Sequence, residues 1–311
     1  MNIKKYLGSI IGIAIFLLCA VILYHKFQKI DINLILQYFT NIPIQAWLLA
    51  CCGALIAYFT LALYDYIGLQ NLGKKINLSF ILFASFSTYA ISHNIGASVL
   101  SGAAIRYRLY KSKNLSLVEI AALVAFCSFT FIIGVLSLTA FILIFYPSVF
   151  QIFYEDLSAF YFVMIGLIIF LLIVLYIIGS LTNFRSLKLT KKLSIPYPKF
   201  SIVLKQLIIA PIEILGAALI IYAVIPAEYN VSFVLLLGVF LASFSATLLS
   251  NAPAGGLGVL ELIFILGLPH IPTEVIIASL LVFRLLYLII PLFLSLIFIG
   301  IFEIKQIKKS I

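Results

Sequence analysis

Long apolar runs separated by short polar clusters divide this chain. Six of the runs are long enough to cross a bilayer as helices, a length of about 20 residues. They fall at roughly 7–24, 45–64, 118–145, 157–181, 206–225 and 275–302. Two further apolar regions, 78–105 and 231–268, are each interrupted by a polar, glycine-bearing break. The first break reads Ser92-His93-Asn94-Ile95-Gly96-Ala97-Ser98 and the second Ser250-Asn251-Ala252-Pro253-Ala254-Gly255-Gly256-Leu257-Gly258. Each lies a few residues after the tetrapeptide Ala-Ser-Phe-Ser, which begins at Ala84 and again at Ala242. That half-length spacing suggests a duplicated unit, residues 1–150 and 151–311, within one transmembrane domain.

Charge sets the sides of the membrane, because Lys and Arg concentrate in cytoplasmic loops. Lys4 and Lys5, Lys74 and Lys75, the cluster from Arg185 to Lys205, and Lys305, Lys308 and Lys309 all read as cytoplasmic, which places both termini inside. Glu155 and Asp156, in a loop without Lys or Arg, read as external. These assignments force each interrupted region to enter and leave by one face. At 28 residues, region 78–105 is also too short for two helices of about 30 Å at 1.5 Å per residue. The expected fold is therefore an all-α polytopic membrane protein of eight membrane segments. Six are full spans and two are re-entrant hairpins, arranged as two inverted-topology repeats, a plan many secondary transporters use.

Composition agrees. Hydrophobic residues make up 65% of the 311 positions and charged residues 10%, with a mean hydropathy of +1.26. The net charge of +10 sits in short clusters between apolar runs, a pattern for anionic lipid and not for nucleic acid. Cys19, Cys51, Cys52 and Cys127 all lie in apolar stretches without metal-ligand spacing, so neither a metal nor a cofactor is expected. The first apolar run, followed by Lys26 and Lys29, reads as a retained helix rather than a cleaved leader. No nucleophile–base pair or nucleotide loop points to an enzyme, so no catalytic residue is assigned.

The candidate substrate-binding residues cluster at the breaks and at rare charges within apolar sequence. His93, Asn94, Asn251, Gly102, Gly255, Gly256 and Gly258 suit either an anion-binding turn or close helix packing. Ser101, Arg106, Tyr107 and Arg108 follow the first break; this stretch fits either phosphate recognition or an interfacial anchor. Asp65, Glu213, Glu261 and Arg284 are charges whose burial is costly, and such residues usually face a pathway or a partner. Glu261 and Arg284 flank the second break and are candidates to pair. Glu213 follows Pro211, where a bend is expected. His93 fits either proton coupling or a hydrogen-bonded turn.

Tyr64-Asp65, the stretch Ser101 to Tyr110, Ala125-Phe126-Cys127 and the stretch Asn251 to Glu261 resemble the lysylphosphatidylglycerol synthase transmembrane family. This is the flippase-type half of the multiple peptide resistance factors, and it also occurs as stand-alone bacterial inner-membrane proteins. The likeness covers most of the chain, about residues 10–300. In two-domain members this half is associated with moving aminoacylated phosphatidylglycerol between leaflets, while a soluble C-terminal domain makes that lipid. Here the sequence stops at Ile311, soon after the last apolar run, so the resemblance implies lipid handling without lysyl transfer. It implies an anionic or aminoacylated phospholipid as ligand and a separately encoded lipid-modifying enzyme as partner. Two other readings stay open: a proton-driven transporter of a small anion, and a membrane subunit serving such a synthase.

Overall fold

The computed structural model describes residues 32–95, 98–154, 156–182, 187–188, 194–195, 197–250 and 258–310. The helix expected at 7–24 and the break residues Gly96, Asn251, Gly255 and Gly256 lie outside the described residues. Within them the chain is helical, apart from a small ladder pairing β1 (Leu187–Lys188) with β2 (Ser194–Ile195). The helices are α1 (Ile32–Asn41), α2 (Ile44–Asn71), α3 (Leu78–Ile95), α4 (Ser98–Lys111), α5 (Leu117–Phe145) and the short α6 (Ser148–Gln151). They continue with α7 (Ala159–Leu181), α8 (Phe200–Val224), α9 (Phe233–Ser250), α10 (Val259–Gly267), α11 (Thr273–Arg284) and α12 (Ile290–Ser310). A π-helical segment, Leu285–Ile289, joins α11 to α12 without a break.

Among the described residues, five helical stretches are long and apolar enough to cross a membrane: α2, α5, α7, α8 and the continuous run Thr273–Gln306. The protein is thus a multi-pass membrane protein. Local signals set several boundaries. Ser116 starts α5 with a capping box: its hydroxyl accepts from the Glu119 N–H at 3.3 Å, and its own N–H donates to Glu119 Oε2 at 2.8 Å. Helix α2 runs past Tyr64, the end expected from the apolar run, and continues to Asn71. It does so because Asp65 is neutralised inside the protein and does not mark a membrane edge.

Small residues hold the bundle together, as expected where lipid removes much of the hydrophobic drive between helices. At the crossing of α2 and α8, a Cβ on Gly53 would lie 2.7 Å from Gly216 O, and a Cβ on Gly216 would lie 2.9 Å from Gly53 O. The two backbones therefore meet reciprocally, with no room for a side chain. Gly134 of α5 meets Ala210 of α8 in the same way, at 2.8 Å. By contrast α7 packs on α5 through Gly166 and leaves Phe160, Ile168 and Leu172 exposed, the surface of a lipid-facing helix.

Both interrupted regions form antiparallel helical hairpins. In the first, Gly102 of α4 packs on Ser92 and Thr88 of α3, with its Cβ position 3.3 Å from Ser92 Cβ. In the second, Val259 and Leu262 of α10 pack on Ala246 of α9, and Gly267 lies against Val239. One expectation is corrected here. Ser92, His93 and Asn94 are not loop residues; they form the last turn of α3. Of the two readings of Gly102 the structure agrees with close helix packing: it sits inside α4, where its missing side chain lets the hairpin arms close. Helix α8 also continues through Pro211 as a single element.

Candidate functional site

One buried polar cluster centres on Asp65, which is fully buried near the end of α2. Arg106, from the return arm of the first hairpin, reaches it with two bonds: Nη2 to Oδ1 at 2.6 Å and Nε to Oδ2 at 3.4 Å. The Tyr110 hydroxyl donates to Oδ2 at 2.7 Å and Cys127 Sγ to Oδ1 at 3.3 Å. The guanidinium lies over the Tyr89 ring, 4.7 Å from its centroid. Helices α2, α3, α4 and α5 thus converge on one ion pair. Such a pair is costly to desolvate, and it persists because its lone pairs are satisfied.

A second cluster lies on α8. Glu213, 2% exposed, accepts from the Tyr287 hydroxyl at 2.7 Å. Tyr287 belongs to the π-helical segment, and its ring stacks on His93 of α3, with centroids 5.2 Å apart and planes inclined by 17°. The segment's carbonyls are met by side chains: the Tyr58 hydroxyl donates to Tyr287 O at 2.8 Å, and Asn94 Nδ2 donates to Leu288 O at 3.0 Å. Widening a helix by one residue disturbs its hydrogen-bond ladder and recurs at functional sites. Here the last turn of α3 meets the last long helix.

Between the two clusters lies a cavity of about 210 Å³. Tyr89, Ser92, His93 and Arg106 of the first hairpin line it, together with Glu213, Phe244 and Tyr287 from the second half of the chain. A polar headgroup or a small anion could be met there by a guanidinium on one wall and a carboxyl and imidazole on another.

The other sequence candidates fall elsewhere. Arg108, expected beside Arg106, points away from it: it is exposed and forms an ion pair with Glu303 of α12. Tyr107 accepts from Lys111 Nζ at 2.6 Å near the same surface, and Ser101 belongs to α4. Glu261 and Arg284 do pair, Oε1 to Nη2 at 2.5 Å, both largely buried. Glu261 Oε2 also accepts from the Gly258 N–H at 2.8 Å, at a backbone φ of +88° that glycine alone adopts readily. This pair therefore starts α10 as well as neutralising Arg284. Among the described residues no group of His, Cys, Asp and Glu has metal-binding geometry.

Sequence reasoning missed Tyr58, Tyr89 and Tyr287 as members of these networks. Tyr287 alone carried a readable signal, three positions after Arg284 and so on a neighbouring helical face.

The fold and the buried polar clusters define a polytopic helical membrane protein with two helical hairpins. The chain belongs to the family described as the lysylphosphatidylglycerol synthase transmembrane region, whose model matches residues 9–295. It is 29% identical to the uncharacterized protein slr0712 of Synechocystis sp., over 99% of this chain and 95% of that protein. It is 30% identical to the inner membrane protein YbhN of Escherichia coli K12, over 98% and 94% of the two chains. It is also 24% identical to phosphatidylglycerol lysyltransferase of Staphylococcus aureus, matching 95% of this chain but only 34% of that longer protein.

Proposed function

We propose that this chain is a lipid translocase of the bacterial inner membrane, moving a polar phospholipid headgroup between leaflets while the tails stay in the bilayer. The observation that carries this reading is the cavity shared by Arg106 and His93 of the first hairpin and Glu213 and Tyr287 of the second half. A buried guanidinium suits a phosphate, because its planar donors match phosphate oxygens. The relatives support the choice of cargo and compartment: one is named an inner membrane protein and another a phosphatidylglycerol lysyltransferase. We read residues 1–150 and 151–311 as inverted repeats, each contributing one hairpin that dips into the bilayer and returns, with both termini cytoplasmic. The reciprocal approach of Gly53 and Gly216 supports that reading, since two-fold-related helices meet in this way. The chain acts as a carrier and not as a synthase; a separately encoded lipid-modifying enzyme is its expected partner.

The test is leaflet exchange of acyl-labelled fluorescent phosphatidylglycerol in liposomes carrying the purified protein. The wild type should exceed protein-free liposomes several-fold. The double variant Asp65→Asn plus Arg106→Gln keeps hydrogen-bonding groups in place while removing both charges, and it should fall to the protein-free rate. Wild-type exchange equal to that of empty liposomes overturns the reading; uptake of labelled phosphate in the same vesicles would then favour a small-anion carrier.

A further inference from the structure

We propose that Glu213, His93 and Tyr287 form a proton-binding site in the cavity wall. The coupling of this site to lipid movement rests on the translocase reading; the site itself does not. Its basis is a mismatch between donors and acceptors. Glu213 Oε1 accepts from the Tyr287 hydroxyl, but Oε2 is buried and has no hydrogen-bond partner among the described residues. His93 Nδ1 is buried and likewise has no partner among the described residues. Both residues line the same cavity and touch the same tyrosine, one through its hydroxyl and the other through its ring face.

The other titratable side chains of the surrounding helices are engaged elsewhere. From α2, the Tyr58 hydroxyl donates to Tyr287 O and the Tyr64 hydroxyl to Ala210 O. From α5, Cys127 donates to Asp65; from α4, Arg106 is held by the same carboxylate. From α3, Tyr89 lies under the Arg106 guanidinium. From α7, Tyr176 donates to Gln206, and from α11, Arg284 pairs with Glu261. Helix α9 presents the apolar rings of Phe240 and Phe244. An ionised Glu213 would thus be a buried charge held by one donor, an expensive state. A proton on Oε2 removes the charge and makes that oxygen a donor.

The exchange is a simple one. When the cavity opens to water, the O–H bond of the carboxyl breaks and its electron pair stays on Oε2. The proton passes to water or to the His93 Nδ1 lone pair, which leaves a carboxylate. Binding from one side of the membrane and release to the other would let a proton gradient drive the cycle.

Infrared difference spectroscopy of the full chain in nanodiscs, on a pH step, reads the site directly. The wild type should show a protonated-carboxyl stretch that is lost in Glu213→Gln. The band should move to higher frequency in Tyr287→Phe, which removes the donor to the carbonyl oxygen. A band unchanged in Glu213→Gln, or no band in the wild type, overturns the proposal. Should the glutamine variant fail to fold, Tyr287→Phe decides alone, and an unmoved band there is equally fatal. In liposomes, an imposed pH gradient should raise exchange of labelled phosphatidylglycerol several-fold for wild type but not for Glu213→Gln; a response retained in Glu213→Gln overturns the coupling. If no vesicle exchanges lipid, the translocase reading falls while the spectrum still decides the site.

Discussion

The two hairpins place opposite charges on their return arms. The first offers Arg106 to an aspartate on the preceding span, and the second offers Glu261 to an arginine on the following one. The surroundings of the two pairs differ in a way that assigns them different work. Asp65 is saturated by side chains from α4 and α5, so the first pair is a closed knot at the cavity wall. Glu261 divides its oxygens between Arg284 and the backbone N–H of Gly258, so the second pair also fixes where α10 begins. Both pairs lock helices to one another; the second also locks a helix to Gly258, the residue before it.

Four substitutions probe that contrast. The largest loss is expected for Asp65→Ala, which strands Arg106 as an uncompensated buried charge and should cost about 3–5 kcal/mol in thermal or denaturant unfolding in detergent. Adding Arg106→Leu should recover part of it, whereas a loss that stays the same in the double variant would break the picture of a closed knot. Glu261→Gln keeps an acceptor for the Gly258 N–H but removes the charge. It too leaves a buried arginine without its counter-charge, but the amide fills the site and still accepts a hydrogen bond, so it should destabilise less, by about 1–3 kcal/mol; a loss as large as that of Asp65→Ala would erase the distinction between the two pairs. The smallest effect is expected at Arg108→Ala: the Arg108–Glu303 pair is exposed, so the melting temperature should stay at the wild-type value, and a clear drop would show that this surface pair secures the first hairpin.

Much of the scaffold was legible in the sequence because apolar run length is a direct readout of membrane spans. The pairing of Glu261 with Arg284 across only 23 residues was legible for the same local reason. Asp65 and Arg106 lie 41 residues apart on elements whose facing sides no periodicity reveals, and Arg106 was therefore grouped with its neighbour Arg108. Two positions apart on a helix, those arginines face different directions, one into the core and one to the surface. The extent of the first break was overestimated because Ser92, His93 and Asn94 look like loop residues when their helix-side partners are unseen. Asn94 bonds the carbonyls of Ala90 and Leu288, so it ends a helix where the sequence alone suggested open chain. The widened turn at Leu285–Ile289 had no compositional mark at all, since its residues are ordinary apolar ones.

That widened turn makes the last long helix a shaft in two parts with a fixed angular offset. Each residue of an ordinary helix turns the chain by about 100°. Excising one residue from the segment would restore a regular ladder and leave the downstream phase nearly unchanged, whereas excising one from the ordinary helix just beyond Ile289 would rotate everything after it relative to Arg284 by roughly that angle. Glu303 would swing away from Arg108, and the seam between the shaft and the first hairpin would lose its register. The widened turn thus absorbs one surplus residue and keeps the polar interior and the far end of the molecule in phase.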